Sequence, residues 1–145
     1  MNKTDTINEF QKRIDYQNFV ISRMKNIVAL RKYKDVEDIY KHEERFGEFF
    51  YSKDIDLSGL LGGVLFDRVS DYYLELKDKM NKLYIIFVAD GSNPKKIKLN
   101  KIGNADYDIA NAVVADLLAV NEKFNEYCKS CFDRLYALSE SRFPA

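Results

Sequence analysis

Between Tyr107 and Leu138 the side chains that suit a helix seam return in steps of three and four without a break: Tyr107, Ala110, Val114, Leu117, Asn121, Phe124, Cys128, Cys131, Leu135 and Leu138. A stripe of that period, sustained over more than four heptads, lies on one face of an α-helix and is the pattern of coiled-coil packing. It predicts a helix from about Ala105 to Ser139. A helix of that length needs long neighbours to cover its seam. The N-terminal segment supplies one, with Ile7, Phe10, Ile14, Gln17, Ile21, Met24 and Val28 in the same rhythm. Thr6 and Glu9 have capping-box spacing, so this helix is expected from about Ile7 to Tyr33.

Two further helices are expected between them. Asp35 can cap a shorter one carrying Val36, Ile39, Tyr40, Phe46, Phe49 and Phe50, interrupted by Gly47 and ending near Tyr51. Ser58 can cap a long third helix in which Leu65, Val69, Tyr72, Leu76, Met80, Leu83 and Phe87 recur until Asp90, Gly91 and Pro94 stop it. The alternative at its end is a small β-hairpin from Leu83 to Ile102, because residues 83–88 are rich in β-formers and residues 96–99 alternate polar and apolar. The resulting expectation is an all-α fold: one domain over residues 1–145, an up-down bundle of three long helices and one shorter.

Composition supports a packed core. Hydrophobic residues make up 46% of the chain and charged residues 32%, which excludes disordered and low-complexity classes. Lys plus Arg and Asp plus Glu number 23 each, so electrostatic recognition must be regional. The longest apolar run, Leu83 to Ala89, is about a third of what a membrane span needs, and the N-terminus shows no apolar signal core. With two cysteines and no disulfide framework, a cytoplasmic location is expected.

Several groups of residues can carry chemistry, and each has a plainer reading. Cys128 and Cys131 form a lone C-x-x-C, but they fall on the apolar seam, where free cysteine packs as a small hydrophobe. His42, the single histidine, can act as a base oriented by a carboxylate; its setting beside Glu43, Glu44 and Arg45 reads more simply as a solvated charged face. Asp67, Asp71, Glu75 and Asp78 make one acidic stripe, and Glu44 and Glu48 make an i, i+4 pair.

Glu75 and Asp78 meet an E-x-x-D motif, in which the chain resembles helical pyrophosphohydrolases of the MazG and dUTPase type; their E-E-x-x-E motif finds Gly47 where its last acid stands. That resemblance implies Mg²⁺-dependent release of pyrophosphate from a nucleoside triphosphate, with Glu44, Glu48, Glu75 and Asp78 around the metal. The plainer reading pairs Glu75 with Lys79 and Asp78 with Lys82.

Regional charge and surplus aromatics point to binding. Residues 12–34 carry seven basic residues against one acid, and residues 91–104 carry four Lys and no acid. In an up-down bundle Arg31, Lys32, Lys34, Lys95, Lys96, Lys98 and Lys101 share one pole, which can dock an anion, nucleic acid included. Phe46, Phe49, Phe50 and Tyr51 with the pair Tyr72 and Tyr73 exceed what one helical stripe buries, so some of them face solvent or a partner, and Phe49, Phe50, Tyr72 and Tyr73 are the expected partner surface. The leading reading is therefore a non-enzymatic protein–protein interaction module, an inhibitor, adaptor or small subunit that binds a protein or itself, with no metal and no cofactor. A nucleic-acid-associated protein and a helical pyrophosphohydrolase are the alternatives.

Overall fold

The computed structural model describes residues 3–30, 33–87 and 104–141. These form five helices: α1 (Lys3–Leu30), α2 (Tyr33–Phe50), α3 (Leu57–Leu61), α4 (Gly63–Phe87) and α5 (Asn104–Ser141). Among the described residues there is no strand. The helix α4 packs on α5 and α2, α1 packs on α5 and α2, and α3 fills in against α4 and α5.

The buried positions follow the expected period in α5, where Ala110, Val114, Leu117, Asn121, Phe124, Cys128, Cys131 and Leu135 all face inward. In α4 they are Val69, Tyr73, Leu76, Met80 and Leu83. Tyr73 thus takes the central position expected of Tyr72. In α1 the inner face runs through Thr6, Phe10, Arg13 and Val20, with Ile14 only partly buried. A charged residue occupies the middle of the seam, which shifts the face by one position from the expected apolar series.

The helix boundaries depart from expectation in three places. Helix α1 begins at Lys3, so Thr6 is an interior residue, and it is fully buried because it lies one turn before Phe10 on the same face. Asp35 is likewise inside α2, which starts at Tyr33. The expected third helix is two. Asp56, not Ser58, caps α3, its Oδ1 accepting from Gly59 N at 3.1 Å and from Ser58 Oγ at 3.0 Å. Gly62 then takes φ +85°, a conformation that L side chains resist, and α4 starts afresh at Gly63. Residues 83–87 are the last turn of α4; the rest of the hairpin alternative, residues 88–102, lies outside the described residues.

Gly47 does not interrupt α2. A Cβ at that position would stand 2.0 Å from Tyr73 Oη and 2.6 Å from its Cζ, so the missing side chain is the space in which the Tyr73 ring lies. Tyr73 Oη donates to Glu43 O at 2.8 Å. Around this notch the aromatic rings interlock. Phe46 meets Phe124 edge-on at 5.3 Å and stacks near Phe50 at 5.8 Å, while Phe10 contacts Phe46, Phe49 and Phe50 edge-on. Each such ring contributes about 1.5–3 kcal/mol by leaving water, with further gain from edge-to-face geometry.

Candidate functional site

A polar cluster crosses the aromatic core. Arg13 and Glu43 have side chains 0% and 1% exposed, and they pair at 3.1 Å between Nη2 and Oε1 and at 3.2 Å between Nε and Oε2. Arg13 Nη2 also donates to Asn121 Oδ1, and the guanidinium carbon lies 4.7 Å from the Phe124 ring centroid. One turn further along α1 and α5, Asn125 Nδ2 donates to Gln17 Oε1. Burial pushes the Glu43 carboxyl above its ordinary range, against the pull of the Arg13 charge. Taking two charges from water costs more than their attraction repays unless the remaining valences are filled. They are not all filled: Arg13 Nη1, Asn121 Nδ2 and Asn125 Oδ1 have no protein partner.

On the outer side of this cluster lies a cleft of about 540 Å³ between α1 and α2, with Arg13, Lys12 and Glu9 on one wall and His42, Arg45 and Glu48 on the other. His42 is stacked flat on Tyr16, the ring centroids 3.4 Å apart and the planes 12° from parallel. Burial, then the charges of Arg13 and Arg45, lower its pKa to about 4, so it is neutral at pH 7. The expectation of a solvated histidine is corrected here: the ring packs on α1, and its Nδ1 is buried without a partner.

A second hollow, of about 500 Å³, opens where α3 breaks into α4 beside α5. Leu61, Val64, Leu65 and Tyr127 give it an apolar lining, and Arg68 and Arg134 stand among its walls. Arg134 Nε donates to Leu60 O at 2.9 Å, which ties α5 to the end of α3. Val64 is 79% exposed, the most exposed large hydrophobic side chain among the described residues. The backbone break explains this. Gly62 resets the helix axis, so Val64 falls in the first turn of α4 before the inward stripe begins at Val69. Nothing lies within 4 Å of where a Gly63 Cβ would stand.

The aromatic partner surface expected from sequence is largely core. Phe49, Phe50 and Tyr73 are 7%, 1% and 3% exposed, because α1, α2, α4 and α5 together bury more than one stripe of α2. Tyr72 is partly buried, stacked with Tyr127 at 5.4 Å. Of the basic pole, Arg31, Lys32, Lys95, Lys96, Lys98 and Lys101 lie outside the described residues, and the side chain of Lys34 lies outside the described part of α2. Cys128 and Cys131 are free and buried, and burial pushes both thiols up, Cys131 to about 12. Neither is an activated nucleophile at neutral pH.

The acidic stripes do not converge. Among the described residues no three His, Cys, Asp or Glu side chains gather around a common point, so Glu44, Glu48, Glu75 and Asp78 form no metal set. Asp78 instead pairs with Lys82 at 3.3 Å, and Lys79 reaches Asp116 of α5 at 3.9 Å. No helix among the described residues is long and apolar enough to cross a membrane.

What sequence reasoning missed is Arg13 and Glu43. The available signal was the helical period itself: Arg13 lies three residues after Phe10, and Glu43 three before Phe46, on the faces those rings define. Comparison with protein families, with curated proteins and with solved structures finds no match to this chain.

Proposed function

We propose that the chain is a non-enzymatic interaction module, a single helical domain that takes a partner protein at the hollow between the α3–α4 break and α5. The partner presents an apolar side chain flanked by Asp or Glu. The observation that carries this reading is Val64, an aliphatic residue 79% exposed beside an apolar hollow that includes Tyr127, Arg68 and Arg134. Tyr and Arg are the residue types enriched at binding hot spots, Val64 adds exposed apolar area beside them, and the two guanidinium groups favour acidic flanks. The order of side-chain pairs supports an up-down course at three junctions. Phe10 meets Phe46 and Tyr16 meets His42; Tyr40 meets Tyr84 and Phe50 meets Phe66; Tyr72 meets Tyr127 and Lys79 meets Asp116. The α1–α5 bonds, Arg13 to Asn121 and Asn125 to Gln17, instead advance in the same sense in both helices, which an up-down course does not give for that pair.

A random peptide library displayed on phage and selected on the immobilised protein tests the reading. Enriched peptides carry an apolar residue between acids, lose about tenfold or more of their affinity with Val64→Asp, and change to basic flanks with Arg68→Glu plus Arg134→Glu. Enrichment of no common pattern, or peptides indifferent to Val64→Asp, removes the proposal. Light scattering at micromolar concentration checks the alternative occupant: a dimer that Val64→Asp dissociates makes it a second copy of the chain.

A further inference from the structure

The cleft between α1 and α2 is separate from the hollow and has a different chemistry. Its lining includes three cations, Lys12, Arg13 and Arg45, and two acids, Glu9 and Glu48. Lys12 Nζ is held by Glu9 at 3.3 Å, and two of the three Arg13 nitrogens are held by Glu43 and Asn121. Arg13 Nη1 remains, in a side chain with no exposed surface. It has only hydrogens to give, so whatever satisfies it must present an acceptor. His42 Nδ1, on the opposite wall, is buried and equally without a partner, and the imidazole is fixed by its stack on Tyr16.

We propose that this cleft binds a small oxyanion, with Arg13 Nη1 and His42 Nδ1 donating to its oxygens and Arg45 neutralising its charge at the mouth. A buried guanidinium nitrogen and a ring nitrogen held by stacking are preorganised, both donate when the imidazole carries its hydrogen on Nδ1, and hydrogen bonds to an anion in such surroundings are stronger than those made to water. The Arg13–Glu43 pair keeps the guanidinium in place without using all its donors. Both orphan atoms are supplied by residues that the core holds for other reasons.

The site is coupled to the charge of His42. In the absence of an anion, burial and then the charges of Arg13 and Arg45 oppose its protonation. Glu9, Lys12 and Glu48 share the cleft, Glu43 is its neighbour on α2, and Lys77 of α4 stands instead over the Tyr40 and Tyr73 rings. A bound oxyanion reverses the local field and makes the imidazolium easier to form. By reciprocity, anion affinity rises as pH falls towards the His42 pKa of about 4.

His42 is the only histidine in the chain, so its imidazole gives one unambiguous set of NMR signals. Sodium sulfate is titrated at pH 6.5 against sodium chloride of equal ionic strength, with inorganic phosphate and acetate as separate arms. The proposal predicts a saturable movement of the His42 signals with sulfate that chloride does not reproduce. It also predicts tighter binding at pH 5.5 than at 7.0, about tenfold weaker binding in Arg45→Gln, and no change in Val64→Asp. A stronger response to sulfate and phosphate than to acetate assigns a phosphoryl ligand, and the reverse a carboxylate. Signals that move equally in sulfate and chloride, or a sulfate response with no pH dependence in the wild-type protein, overturn it.

Discussion

Arg13 decides how the interior of this molecule is organised, because a fully buried guanidinium over the Phe124 ring must be answered by charge and by acceptors. Glu43 supplies the charge and Asn121 an acceptor, so three helices are fixed to one another by one side chain. The energetic sign follows from desolvation. Arg13→Met leaves Glu43 buried alone and is expected to cost about 3–5 kcal/mol, as is Glu43→Leu, whereas the double variant regains most of that loss. Chemical denaturation of the four proteins in the cycle measures it, and simple additivity of the two single losses contradicts the account. This residue was invisible to a reading that builds helix faces from apolar side chains. Asn121 was legible because it fell inside an unbroken seam, and the structure pairs its Oδ1 with Arg13 while its Nδ2 is left without a protein partner.

The helices themselves were legible where period alone decides. The faces of α4 and α5 follow sequence spacing to within a residue, and buried Cys128 and Cys131 take the positions that spacing assigns. Glycine was harder to read. Gly47 is helical because Tyr73 needs its empty side, a contact between residues far apart in sequence that no local propensity encodes. Gly62 breaks a helix that apolar spacing carried straight through. Three substitutions separate these roles. Gly47→Ala brings a methyl group into the Tyr73 ring and is expected to cost about 1–3 kcal/mol despite its better helix propensity. Gly62→Ala forces a side chain into φ +85° and is expected to cost about 1–3 kcal/mol. Gly63→Ala meets nothing and is expected to be neutral or to stabilise by up to about 1 kcal/mol. Thermal unfolding ranks the three, and a Gly47→Ala protein as stable as Gly63→Ala contradicts the proposed notch.

For the whole molecule, the same packing that buries the aromatics takes them away as a partner surface. The expectation that Phe49, Phe50 and Tyr73 face outward rested on how much one helix can cover. Four helices closing on one another cover more, and the apolar residue left beside a hollow is Val64, at a break that the sequence spacing conceals. Mapping backbone amide shifts of the labelled protein on addition of a selected acidic-flanked peptide tests interaction at that hollow. Saturable shifts concentrated at Leu61 to Arg68, Tyr127 and Arg134 are expected. Shifts centred instead on Glu9 to Tyr16 and His42 to Ser52, or scattered without a focus, contradict it.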